Sequence, residues 1–222
     1  MKDRPVILVL AGVNGAGKSS VLGNILSDHN IDFYNPDQFA REYLKLEKTS
    51  TIEEANSIAW EYGRKSLESA IQEKRIYAFE TSLGGNTISE MLLNATSTHD
   101  VKIYYCGLDS VEKHIERVKQ RVAIGGHDIP EDKIRERWEN SILNLIKLMP
   151  YLSALMVFDN SIEVANNEEI PNPVKMLEII DGVVNYPDFA DVAAMNQVKG
   201  WAKPLIIAAE DMTEKINKPK IS

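Results

Sequence analysis

The chain has 222 residues, 44% hydrophobic and 26% charged, an ordinary globular composition with enough length for one α/β domain. Its formal net charge of -8 excludes broad binding to nucleic acid or to an anionic membrane, because a phosphate backbone has to be met by a surplus of Lys and Arg. No apolar run approaches the roughly 18 residues that span a bilayer, and Met1 to Pro5 leads into a strand-like segment, not a signal peptide, so no membrane contact and a cytoplasmic location are expected.

Pro5 to Ala11 is a short β-branched run ending at glycine and reads as a buried parallel strand. Directly after it comes Gly12-Val13-Asn14-Gly15-Ala16-Gly17-Lys18-Ser19, a complete phosphate-binding loop, and from Lys18 to about Asp28 the apolar residues recur at helical spacing. A second strand, Ile31 to Tyr34, is expected to end at Asn35-Pro36-Asp37. Thr51-Ile52-Glu53-Glu54 is a capping box opening a helix to about Glu73, and Ile76 to Ser82 is a third strand with Glu80, Thr81 and Ser82 at its carboxyl end.

Asn86 to Thr98 is predicted helical, and Val101 to Leu108 is an apolar strand that contains the single cysteine, Cys106, expected to be a buried structural thiol. Val111 to Val122 is helical, Gly125-Gly126 breaks it, and Pro130 restarts a helix to about Leu148 from a first-turn position. Leu155 to Phe158 is the last core strand, Met176 to Val184 an edge strand, and Pro187 onward a helical extension to about Glu214 with a frayed tail. Strict alternation of strand and helix predicts a three-layer αβα sandwich of the P-loop NTPase kind. It would be a single domain over 1–222, with a mainly parallel sheet of five or six strands, a helical lid at about 111–140 and ligands beyond the carboxyl ends of the strands.

The loop glycines let backbone N–H groups turn inward while the following helix adds its positive end, so Asn14, Gly15, Ala16, Gly17, Lys18, Ser19 and Ser20 are expected to bind a nucleotide. Lys18 would lie along the β and γ phosphates and Ser19 would ligate Mg²⁺. The guanine-reading Asn-Lys-x-Asp is absent, which favours ATP over GTP, and so is the apolar strand ending in Asp-Glu usual in large mechanical ATPases. Asp37, a candidate catalytic base, and Glu80, Thr81 and Ser82 at neighbouring strand ends suit a hydroxyl acceptor that must be held and deprotonated. For Asp37 the plain alternative is a helix cap.

The cations Lys113, Arg117, Lys119, Arg121, Arg135 and Arg137, with His127, flank the glycine hinge. A lid of guanidinium groups, with Arg117 and Arg121 one turn apart on one face, would neutralise the transferring phosphate and keep water out. Individually each reads as well as a solvated surface cation.

These residues together resemble the zeta toxin family of P-loop kinases, over about residues 5 to 162. Asn35-Pro36-Asp37 resembles the family's catalytic Asp, Glu80-Thr81-Ser82 its substrate-holding Glu and hydroxyl, and Ile115-Glu116-Arg117 its ATP-binding lid arginine. The run from Arg121 to Pro130, then Arg137-Trp138, is similar to small stand-alone zeta-like proteins of bacteria, as is Val157 to Ser161. The resemblance implies a nucleotide-kinase sheet order, and phosphorylation of UDP-N-acetylglucosamine or a related nucleotide sugar. It also leaves room for an antitoxin-like protein partner that one chain does not display. His127 stands where the toxins carry a second ATP-binding arginine, a place Arg121 or Arg137 could fill. Arg64 stands where they carry a substrate-binding Glu, with Glu61 and Glu68 one turn either side. A kinase for an antibiotic or nucleoside, and a nucleotide-dependent binding or regulatory protein with little turnover, are the other readings.

Overall fold

The computed structural model describes residues 4–18, 33–126, 128–162 and 171–217. Six strands form one sheet: β1 (Val6–Ala11), β2 (Tyr77–Thr81), β3 (Asp100–Gly107), β4 (Ala154–Asp159), β5 (Val174–Ile180) and β6 (Val183–Tyr186), in the order β2-β1-β3-β4-β5-β6. The first four are parallel to one another, and β5 and β6 add as an antiparallel hairpin. Asp181 and Gly182, both with positive φ, form the two-residue turn between them, so the single edge strand expected over 176–184 is two strands.

Beyond β2, Tyr34 bridges Phe79 in parallel. This places Tyr34 on the outer side of β2, where the nucleotide-kinase sheet order implied by the resemblance would put it. Most of the expected helix over 18–28, and Ile31 and Asp32 of the expected second strand, lie outside the described residues.

Among the described residues the α-helices are α1 (Pro36–Leu46), α2 (Ile52–Gln72), α3 (Asn86–Ala95), α4 (Val111–Ala123), α5 (Glu131–Leu148), α6 (Val192–Gln197) and α7 (Lys203–Asn217). Helix α1 bears out the helix start given as the alternative for Asp37, although Asn35 and not Asp37 is its cap: Asn35-Pro36, expected to close a strand, opens a helix. The Asn35 side chain accepts from the Gln38 backbone, and Pro36 occupies the first turn, where its missing N–H costs nothing. Helix α2 opens with the expected reciprocal capping box of Thr51 and Glu54. Pro130 sits at the cap position just before α5, one residue earlier than expected.

One face of the sheet carries the main core, where Ile7, Val9, Ile103, Tyr105 and Leu155 meet Leu67, Leu92, Leu145 and Leu148 from α2, α3 and α5. The C-terminal segment belongs to this core, since Trp201, Leu205, Ile206, Ala209 and Met212 pack into it. The other face carries a smaller cluster of Leu8, Leu10 and Ala78, with Phe33, Tyr104 and Phe158 packed against it. Burial of β1 on both faces explains why its sequence is uniformly apolar and not alternating.

Helix α5 is divided in use. Ile134 joins Val13, Ile115, Val118 and Ile129 in a small cluster behind the phosphate loop, whereas Ile142, Leu145 and Leu148 are part of the main core.

Candidate active site

Strand β1 releases the chain into the 12–17 loop, whose path requires glycine. Gly15 and Gly17 have φ of 85° and 80°, and a Cβ on them would lie 2.6 Å from the His114 carbonyl and the Asn160 amide nitrogen. The loop is further held by Asn160, whose Nδ2 donates to the Ala16 carbonyl at 2.9 Å, and by the Cys106 thiol, which donates to the same carbonyl at 3.2 Å. Burial pushes that thiol up to about 12, so Cys106 is the structural residue it was expected to be. His114 accompanies it beneath the loop. Its Nδ1 is 2.9 Å from the Asn14 carbonyl, and desolvation holds its pKa down at about 4.

Lys18 is only 7% exposed. Its ammonium donates to the Gly12 carbonyl at 2.7 Å and the Val13 carbonyl at 3.5 Å, and lies 3.4 Å from Glu80. The burial of Glu80 is offset by protein partners: Lys18 on one oxygen and the Asn35 amide at 2.9 Å on the other. Asn35 thus caps α1 and fixes the end of β2, which sets Asp37 in the first turn of α1 beside the phosphate loop.

Asp37 faces the α4 helix, its Oδ2 3.3 Å from an Arg121 guanidinium nitrogen, each side chain about one-third exposed. Arg137 donates to the Asn14 side chain at 2.8 Å. A cleft of about 630 Å³ runs from Asn14, Lys18 and Arg137 past Asp37, Glu80, Thr81 and Ser82 to Arg64 and Trp60 on α2. Thr81 and Ser82 hydroxyls accept from the Leu83 and Gly84 backbone N–H groups, fixing the turn after β2. Arg64 is clamped by Glu61 at 2.8 and 2.9 Å and by Glu68 at 3.2 Å, and the guanidinium holds the Glu61 carboxyl down at about 2.

The basic residues expected to act together divide. Arg121 and Arg137 reach the cleft region, but Arg117, one turn before Arg121, points its guanidinium at the Ile162 carbonyl, 3.5 Å away beyond β4. Lys113 pairs with Asp109 and the Ser161 carbonyl, Lys119 with Glu131, and Arg135 with Glu112, so the last two bind α4 to α5 across an exposed surface. Ser19, Ser20 and His127 lie outside the described residues. Among the described residues no three His, Cys, Asp or Glu side chains converge as a metal-binding group, and no helix is long and apolar enough to cross a membrane.

No protein-family model matches the chain. Over 80 residues it is 34% identical to an uncharacterized protein of Haemophilus influenzae, covering 34% of this chain and 57% of that one. The AvrRxo1-ORF1:-ORF2 complex solved with ATP contains a chain that matches 100% of this one and 66% of its own length, at a TM-score of 0.59 and 15% identity. The PezAT chromosomal toxin–antitoxin system of Streptococcus pneumoniae contains another, matching 98% of this chain and 89% of its own, at a TM-score of 0.53 and 13% identity. The chain shares its fold with these two solved structures. At these identities the likeness concerns the path of the chain, and it extends through the C-terminal segment that the sequence resemblance did not cover.

Asn35, His114 and Asn160 touch the site and were not anticipated. Asn35 was legible as an Asn-Pro helix start. Asn160 follows β4, a position opposite the phosphate loop in a parallel sheet. His114 carried no signal beyond its place in an amphipathic helix.

Proposed function

We propose that the chain is an ATP-dependent kinase that phosphorylates a hydroxyl group of a small molecule. The observation that carries this reading is a cleft in which a phosphate loop with a buried lysine opens onto two carboxylates, Asp37 and Glu80, held by partners drawn from other elements. The loop N–H groups and Lys18 would hold the triphosphate, Asn14 and Arg137, joined to each other beside the loop, would add to its binding, and Arg117, directed at the Ile162 carbonyl, would contact the nucleotide away from the transferring phosphate. Arg121, 3.3 Å from Asp37, would supply positive charge to the transferring phosphate once that pair opens. Asp37 then accepts the proton of the attacking hydroxyl, which Glu80 and Ser82 orient.

Mg²⁺ would supply charge neutralisation between the phosphates and would be held mainly by them and Ser19, the usual arrangement for an ion that needs few protein ligands. The glycine-shaped loop and the buried Lys18 suit the nucleotide. We treat α4 with the first half of α5 as a lid on one domain spanning 1–222. The protein is read as cytoplasmic, with an antitoxin-like partner in keeping with the PezAT toxin–antitoxin system. Of the acceptor classes, the zeta-toxin resemblance points to a nucleotide sugar such as UDP-N-acetylglucosamine.

The test is ADP formation from MgATP across a panel of hydroxyl compounds. Lys18→Ala should remove it. Asp37→Asn should leave nucleotide binding intact and lower turnover by about 10²–10⁴, the usual worth of a positioned base. Full turnover by Asp37→Asn would refute the base assignment, and binding of ATP without consumption of it would favour a regulatory protein.

A further inference from the structure

Side chains hold two carbonyls of the phosphate loop, and the direction in which they hold them decides where the neighbouring N–H groups point. A trans peptide is planar, so the carbonyl of one residue and the N–H of the next face opposite ways. The Asn14 carbonyl lies 2.9 Å from His114 Nδ1 on α4. The Ala16 carbonyl accepts from Asn160 Nδ2 at 2.9 Å and from the Cys106 thiol at 3.2 Å, one donor for each lone pair. The Gly15 N–H is thereby turned away from His114, and the Gly17 N–H away from Asn160 and Cys106.

Two other N–H groups of the loop are used within the fold, Gly12 on the Thr81 carbonyl at 3.2 Å and Ala16 on the Val13 carbonyl at 3.1 Å. Neither the Gly15 nor the Gly17 N–H has a protein partner among the described residues. Both glycines have positive φ, 85° and 80°, and backbone of this kind displays its N–H groups as a concave nest for an anion.

Packing alone does not account for the donors. His114 is 1% exposed, and because a carbonyl only accepts, its Nδ1 carries the proton. Its Nε2 is then left buried without a partner among the described residues, a cost that a leucine filling the same space on α4 would not carry. Asn160 lies so close beneath the loop that a Cβ on Gly17 would come within 2.6 Å of its amide nitrogen.

We propose that His114 and Asn160 are positioning residues for phosphate binding. His114 aims the Gly15 N–H, and Asn160 with Cys106 aims the Gly17 N–H, at the phosphates of the nucleotide. The nest is thus formed before the nucleotide arrives, and binding does not have to bear the cost of turning two peptides. This rests on the reading of the loop as a nucleotide site and adds to it the residues that set its shape.

The experiment uses the full chain, with inorganic tripolyphosphate and a non-hydrolysable ATP analogue as probes, both with Mg²⁺. Affinity is read by calorimetry, amide protons by NMR on protein labelled with ¹⁵N at glycine, and folding by thermal unfolding. His114→Leu and Asn160→Ala should each weaken both probes roughly tenfold or more, the worth of one hydrogen bond to a charged group. His114→Asn, which keeps an N–H near the position of Nδ1, should recover most of the affinity. Tripolyphosphate should move the Gly15 and Gly17 amide protons of the wild type downfield. His114→Leu should shrink the Gly15 shift and spare that of Gly17, and Asn160→Ala should do the reverse. Asn160→Asp, equal in size but with a carboxylate in place of the amide, serves where the alanine variant does not fold. Unchanged affinity in the folded variants, no recovery in His114→Asn, or shifts lost equally at both glycines would overturn the inference and leave the nucleotide site standing. Failure of the wild-type chain to bind either probe would overturn both, whereas an analogue that binds normally while ATP is never consumed would count against the kinase reading alone.

Discussion

The C-terminal segment makes one contact whose loss can be followed quantitatively. Trp201 Nε1 donates to Asp159 Oδ2 at 2.7 Å, with Trp201 7% and Asp159 1% exposed. The same carboxylate accepts from the Ser161 N–H and hydroxyl, and Ser161 Oγ accepts from the Asp109 backbone, so three chain segments meet at one buried charge beside the phosphate loop. Trp201→Phe keeps a ring against Tyr105 but removes one of the three donors to Asp159. A hydrogen bond to a buried charge contributes about 1.5–3 kcal/mol, and the smaller ring adds a small cavity cost, for a loss of about 2–4 kcal/mol. For a chain of this size that corresponds to a Tm lowered by roughly 5–15 °C. Urea unfolding followed by circular dichroism should show a lower midpoint at unchanged slope. A loss below about 0.5 kcal/mol would mean that Asp159 does not anchor the C-terminal segment through Trp201.

Burial depresses the pKa of His114 from its ordinary 6.5 to about 4, so the unfolded chain binds the proton more readily than the folded one. The stabilising effect of a neutral His114 is therefore complete above pH 6.5 and is lost as pH falls toward 4, by up to about 3 kcal/mol. His114→Gln should flatten the difference in stability between pH 7 and pH 4.5, and an identical pH dependence in the variant would contradict this. Gly107→Ala would drive a methyl into the Trp201 ring, an overpacking of about 1–3 kcal/mol, visible as a lowered urea midpoint. Arg121→Met should leave ATP binding close to normal and lower turnover. A large loss of ATP affinity with turnover preserved would instead make Arg121 a ground-state contact.

What could be read from the sequence followed from local rules. An apolar strand, a glycine-rich loop with Lys and Ser, and strict alternation specify a parallel sheet with its ligand site at one rim, and Lys18, Asp37, Glu80 and Arg137 do gather there. What was missed depended on choices that local pattern leaves open. Asn35-Pro36 can end a strand or start a helix, and the decision came from Asn35 also reaching Glu80 across 45 residues of chain. Asp181-Gly182 is a hairpin signal that lay unnoticed inside an apolar run. The basic residues around Gly125-Gly126 look equivalent in sequence. Their partners are set by tertiary packing, which sends Lys119 and Arg135 to Glu131 and Glu112 on the outer surface and Arg121 inward to Asp37.

The central claim is that phosphate moves from ATP to an organic hydroxyl. Incubating the wild-type chain with ATP labelled at the γ-phosphate and a cell extract of small molecules tests it most directly. The account predicts label in a new phosphorylated small molecule, absent with Lys18→Ala. Label that stays on ATP, or leaves only as inorganic phosphate, would contradict it.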